Sequence, residues 1–305
     1  MSATTADPAP PVPPSQGSPP APIPSGSSAN NRFRLDSQFV APILITAILL
    51  VAQIGYGVLE GFPKTLVAIT CAIVTEVVLS LIVYRKFPHL ASAYITGISV
   101  GILVRSPLYW PFALGAVISI ISKYVLRIKD RHIWNPSNFG ISTLLFLAPA
   151  TVASLSIQWG NAIAPLAVVW LLGSVIIYRL QRFHICATYI VSFVLFAYLR
   201  SALPGHHPAG LEPAFLSEVA PITGPMYQLF IFFMITDPKS TVRARWAQSV
   251  TAFCVAAAEC IFRIAGNVHA PYFALFIVGP IANLIEIAVN AKRSAAAGAR
   301  ASVQV

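Results

Sequence analysis

Residues 62–86 read FPKTLVAITCAIVTEVVLSLIVYRK. Between Lys64 and Arg85 there is one charged side chain, Glu76, in an otherwise apolar run. About 20 such residues are what an α-helix needs to cross the hydrocarbon core of a bilayer. The single Lys64 at one end and the Arg85-Lys86 pair at the other then indicate which end faces the cytoplasm, since short cytoplasmic loops collect Lys and Arg. The rest of the chain repeats this pattern. Of its 305 residues 56% are hydrophobic and only 10% charged, with a mean hydropathy of +0.74. A soluble domain carries charge on roughly a quarter of its residues. Lipid is therefore the expected solvent for most of the surface.

Further apolar runs fall at roughly 39–59, 89–104, 108–126, 138–155, 161–178, 184–199, 221–236, 246–263 and 271–290, which predicts an all-α polytopic transmembrane bundle of about ten spans. With the N-terminus inside, Arg32, Arg34, Arg85, Lys86, Lys123, Arg127, Lys129, Arg131, Arg179, Arg182, Lys239, Arg243, Arg245, Lys292, Arg293 and Arg300 are cytoplasmic. Only Lys64, Arg105, Arg200 and Arg263 fall on the opposite side. Gaining or losing one span would scramble this division, so count and orientation support each other, and both termini are expected in the cytoplasm. The net charge of +10 is thus spread as orientation signals and does not form a nucleic-acid patch. Trp110, Trp134, Trp159, Trp246 and Tyr272 sit at span ends, as interfacial anchors do. Two halves of five spans would carry opposite orientations, the arithmetic of an inverted repeat.

Residues 1–35 are rich in Pro, Ser and Ala and predict a disordered tail. They lack the basic start and apolar core of a cleavable signal, so the run from Phe39 is expected to be an uncleaved anchor. The transmembrane domain is expected over 36–293, with a short cytoplasmic tail over 294–305. Cys71, Cys186, Cys254 and Cys260 lie in apolar runs at no metal-ligand spacing and read as small core residues. Two segments resist a simple span. One opens at Asn135-Pro136-Ser137-Asn138-Phe139-Gly140 and ends at Pro149; the other opens at Pro221-Ile222-Thr223-Gly224-Pro225 and ends at Thr236-Asp237-Pro238. Interrupted helices of this kind line polar cavities in membrane proteins, or they are ordinary helix caps.

The same two segments carry a resemblance. Ser122-Lys123-Tyr124 followed by Arg131-His132-Ile133-Trp134-Asn135-Pro136 resembles one signature of the RnfD/NqrB family. That family supplies membrane components of the Rnf electron-transport complex and of the sodium-pumping NADH:quinone oxidoreductase. Phe232-Phe233-Met234-Ile235-Thr236-Asp237-Pro238 resembles its second signature. Trp170-Leu171-Leu172-Gly173 leading to His184-Ile185, and Gly279-Pro280-Ile281-Ala282-Asn283-Leu284-Ile285-Glu286, resemble it in order and spacing. The resemblance spans roughly residues 90–293. It implies a prokaryotic inner membrane, electron-transport partner proteins in that membrane, bound flavin, and Na⁺ or H⁺ movement. The family's covalent FMN is attached to the last Thr of a Ser-x-Ala-Thr motif. Here Ala153-Ser154-Leu155-Ser156-Ile157-Gln158-Trp159-Gly160-Asn161 supplies no threonine, so a non-covalent flavin, FMN or riboflavin, is the expectation. The missing loop and Lys239 after Asp237-Pro238 resemble the UnbU-type branch, named for enediyne natural-product gene clusters.

The resemblance and the helix breaks nominate Asn135, Asn138, Thr223, Gly224, Thr236 and Asp237 as cofactor-binding. Ionisable groups in lipid are costly and hence functional candidates. Glu76 has no basic neighbour one turn away on its own helix, so it reads either as a cation or proton ligand or as a neutral hydrogen-bonded carboxyl. Glu286, near the cytoplasmic end, is the second ion-handling candidate. Glu259 and Arg263 are spaced as a structural ion pair on one helix. His206 and His207 are adjacent in a loop and lack further ligands. No zinc, haem or iron–sulfur spacing, phosphate loop or nucleophile elbow occurs, so no catalytic residue and no metal site are assigned. Alternatives to the redox role are a permease without redox chemistry and an accessory membrane protein of a biosynthetic cluster.

Overall fold

The computed structural model describes residues 37–57, 61–128, 131–155, 163–203 and 211–303, within a unit that runs from Asp36 to Val305. The tail at 1–35, Lys129, most of the Ala153–Asn161 stretch, His206 and His207 lie outside the described residues. The first half of the chain forms α1 (Ser37–Tyr56), α2 (Phe62–Tyr84), α3 (Ala91–Leu103), α4 (Trp110–Val125) and α5 (Pro136–Leu147). The second forms α6 (Ile163–Leu180), α7 (Phe183–Ser201), α8 (Leu211–Val219), α9 (Pro225–Leu229), α10 (Arg245–Ile264) and α11 (Ala270–Val303). A 3₁₀ turn at Ala220–Thr223 leads into α9, which continues as a π-helical turn over Phe230–Met234. Strands β1 (Val104–Arg105) and β4 (Ala153–Ser154) pair antiparallel, as do β2 (Arg127–Ile128) and β3 (Arg131–His132).

Among the described residues four helices are long and apolar enough to cross a membrane: 62–84, 183–201, 245–264 and 270–296. In the other expected runs the apolar helical stretches are shorter, at 10–17 residues. The run expected over 138–155 stops being helical at Leu147, because Ala148 precedes Pro149 and the α conformation is disfavoured there. The chain then turns back so that β4 can pair with β1 at the end of α3. The stretch from Arg200 to Ala220, read as a loop, contains α8. The C-terminal tail read from 294 onward continues α11, for which its alanines are strong helix formers.

On α2 packing is inverted relative to a helix of a water-soluble protein. Helix α2 buries Thr65, Ala68, Ala72, Glu76 and Ser80, while Leu66, Val74, Val78, Leu81 and Ile82 are exposed. Large apolar side chains outside and small or polar ones between helices are what lipid selects. Gly97 shows why small residues are needed: a Cβ there would lie 2.5 Å from Ile69 Cα on α2, so α3 can approach that closely only at a glycine. Gly140 does the same for α5 on α4, where a Cβ would meet Ser119 Oγ at 2.1 Å.

Two helix contacts recur between the halves: α2 with α4 as α7 with α10, and α4 with α5 as α10 with α11. Helix α2 also packs on α3, and α7 on α8. The halves meet through α1 with α6 and through α5 with α11.

Candidate functional site

Three of the four resemblance blocks converge at one end of the bundle. Asn135 caps α5, its side chain accepting from the Asn138 N–H at 3.0 Å, with Pro136 in the first turn where no N–H is needed. The Asn135 Nδ2 donates long hydrogen bonds to Asp237 Oδ2 (3.4 Å) and to the Met234 carbonyl (3.5 Å). Asp237 also accepts from Ser240 Oγ at 2.7 Å and the Lys239 N–H at 3.2 Å. Asn283 ties in the C-terminal block, donating to the carbonyls of Ile133 (3.0 Å) and Ser240 (2.6 Å). Arg131 donates to Asn283 Oδ1 (3.0 Å) and to the Thr241 carbonyl (2.8 Å), and forms an ion pair with Glu286. Glu286 also accepts from the Arg243 N–H at 2.7 Å.

Pro280, inside α11, has no N–H to give the carbonyl four residues back, that of Phe276. Trp134 Nε1 supplies the missing donor at 2.8 Å, so this tryptophan has a partner inside the protein.

The six nominated cofactor residues do not form one site. Asn135, Asp237 and Thr236 lie at this junction, although the Thr236 hydroxyl is spent on the Phe232 carbonyl (2.6 Å). Asn138, nearly fully buried, donates instead to the Tyr272 carbonyl of α11 at 3.2 Å. Thr223 and Gly224 lie at the far end of α9, and Thr223 Oγ1 bonds the Ala220 carbonyl. The space beside Asn135 is about 20 Å³, enough for one water molecule and far too small for a flavin.

At the same end, Glu76 finds the partner its own helix lacks. Lys123 Nζ, from α4, lies 2.5 Å from Glu76 Oε2, and the Tyr124 hydroxyl donates to Oε1 at 3.1 Å. Both nominated ion-handling carboxylates, Glu76 and Glu286, are thus held in ion pairs by bases distant in sequence. A cavity of about 580 Å³ opens beside Glu76.

The opposite end holds a network that the sequence only half revealed. The Glu259–Arg263 pair forms, with Arg263 Nε 3.2 Å from Oε1. Glu259 also accepts from the hydroxyls of Tyr189 (2.5 Å) and Tyr227. Arg263 reaches on to Tyr227 (2.9 Å) and Glu218 (3.3 Å), and Glu218 accepts from Arg200 Nε at 2.8 Å. Glu259 and Arg200 are each only 1% exposed. Burial at this depth is tolerable because both carboxylates of the network, Glu218 and Glu259, face an arginine. The network borders a cavity of about 640 Å³, also lined by Gly224, Met226, Asn267 and His269. His269 Nδ1 lies 2.7 Å from Ser154 Oγ, and burial lowers its pKa.

The two cavities lie at opposite ends of α10: Arg243 precedes this helix and lines one, and Arg263 lines the other from its last turn. A helix of 20 residues is about 30 Å long. Among the described residues no group of three His, Cys, Asp or Glu could hold a metal ion.

Tyr189, Tyr227, Glu218, Arg200 and Lys123 are not among the site residues nominated from the sequence. One signal was available: Trp110, Lys123 and Arg127 on and just after α4 repeat the intervals of Trp246, Glu259 and Arg263 on α10. No family model matches the chain, and no curated protein matches it.

Proposed function

We propose that the chain is a ten-span membrane protein of two inverted five-span halves, with both termini cytoplasmic. In this reading it acts as a membrane component of an ion-translocating electron-transfer assembly, of the kind to which the RnfD and NqrB proteins belong. The observation that carries this reading is the convergence of three resemblance blocks in one hydrogen-bonded junction, through Arg131, Asn135, Asp237, Asn283 and Glu286. Short sequence matches arising by chance would have no reason to bond to one another across 100 or more intervening residues. The two recurring helix contacts support the two halves, and the crowding of bases at one end supports the orientation.

A non-covalent flavin belongs in the larger cavity, since pockets of several hundred Å³ accept ligands of that size. Gly224, Met226 and Tyr227 would border its ring, with Asn267 and His269 as polar neighbours. The flavin would supply electron transfer; the protein would hold and shield it. Acid extraction of the purified protein tests this. Flavin should appear in the supernatant, near one per chain, and none in the pellet. Colourless protein with no flavin in either fraction, purified from flavin-replete cells, overturns the redox reading.

A second reading, a permease without redox chemistry, is favoured by one observation. The cavities at opposite ends are each backed by a carboxylate–base–phenol cluster with a buried carboxylate, Glu76–Lys123–Tyr124 and Glu259–Arg263–Tyr227. Proteoliposomes that take up a substrate without any flavin would select it.

A further inference from the structure

The cavity at the basic end has a charge balance that neither reading uses. Among the described residues Lys123, Arg127, Arg131, Lys239 and Arg243 line it, against one lining carboxylate, Glu76. Lys123 is committed to Glu76 and Arg131 to Glu286, while Arg127 also donates to the Tyr84 hydroxyl. Lys239 and Arg243 are exposed, and neither side chain pairs with a carboxylate among the described residues. The nearby Asp237 carboxylate is taken up by Ser240, Asn135 and the Lys239 N–H.

Two further features add donors. Helix α3 begins at this cavity, with Ala91 and Ser92 in its wall, and Leu90 before it offers no side-chain cap. The first-turn amides of a helix are orphan donors at the positive end of its dipole. His132 also lines the cavity, and its imidazole has one ring N–H to donate.

We propose that this cavity binds a phosphate group, carried by an anionic lipid headgroup or by a free phosphorylated molecule, between Lys239 and Arg243, the α3 N-terminus and His132. A phosphate is an acceptor on all its free oxygens and carries the charge this wall lacks. Donors arriving from separate directions suit a tetrahedral group better than a planar carboxylate. The space, about 580 Å³, leaves room for more than the phosphate itself. The site stands apart from the flavin reading, since it lies at the other end of the bundle.

The test uses the full chain in detergent and in nanodiscs. Pyrophosphate, compared with chloride at matched ionic strength, should raise the melting temperature. Phosphatidylglycerol nanodiscs should do the same relative to phosphatidylcholine. Lys239→Ala with Arg243→Ala should weaken binding by at least about tenfold, since a charge-assisted hydrogen bond is worth more than one decade in affinity. Lys292→Ala with Arg293→Ala, which alters bases at the same end outside the cavity, should leave binding unchanged. Both altered pairs are exposed, so the fold should survive. As an independent readout, ¹⁵N-histidine spectra should show the pKa of His132 rising from about 4 when pyrophosphate binds. Stabilisation by phosphatidylglycerol alone assigns the site to headgroups; stabilisation by pyrophosphate as well shows that free phosphates enter. No stabilisation by either, or equal stabilisation of the Lys239/Arg243 variant, overturns the proposal.

Discussion

Trp134 and Pro280 illustrate how single residues depend on one another in this protein. The proline strips a donor from α11, and the indole of a distant loop replaces it at the Phe276 carbonyl. Trp134→Phe should therefore cost about 1–3 kcal/mol, the penalty for an unsatisfied buried group. Pro280→Ala restores the backbone donor, so in that background the tryptophan substitution should cost measurably less; a double-mutant cycle of unfolding free energies checks this. His132 offers a pH-dependent counterpart. Burial, reinforced by Lys239, Lys123 and Arg127 and opposed by Asp237, holds its pKa near 4, below the ordinary 6.5. Between those values the unfolded chain binds a proton that the folded protein does not. This residue should thus cost stability as pH falls from 6.5 towards 4, with no further loss below. Melting of wild type against His132→Asn across that window should show the gap closing in the variant's favour. The Glu259–Arg263 pair was legible in the sequence because both residues share a helix face. Glu76–Lys123 was not, because its two halves come from helices whose packing no local pattern encodes.

At the scale of elements, the tight α2–α3 contact sets its own limit. Gly97→Val would drive a branched side chain into the α2 backbone, and overpacking of this kind costs about 1–3 kcal/mol. A lowered midpoint in detergent unfolding is the expected result, with Gly55→Val, where an added Cβ meets nothing nearby, as the reference. The apolar runs were readable because lipid demands length and hydrophobicity of every crossing segment. The points where α3 and α5 stop were only partly readable. Prolines mark them, but the β1–β4 pairing that ends both helices joins residues some fifty positions apart. Helix α8 escaped notice because it is short and carries Glu218 among its apolar residues, which reads locally as a polar loop.

For the whole molecule, the division of bases between its ends makes a topological prediction. Reporters fused in the turn at 85–90 and at the C-terminus should report the cytoplasm, and one inserted at 204–210 the other side. Opposite locations for the first two would break the ten-span arrangement and the inverted relation of the halves with it. The junction of Asn135, Asp237 and Asn283 was foreshadowed by motifs, yet its sealed interior was not. Side-chain volumes fill that space, and a motif lists identities without stating how much room is left.

Helix α11 has 34 residues, about 51 Å of rise, against a bilayer of about 40–45 Å including headgroups. Crossing close to the bilayer normal, it would lift its last turns into water like a mast. A fluorophore fixed there would ride rigidly with the helix, so that its distance from dyed lipid reports any tilt of the final span.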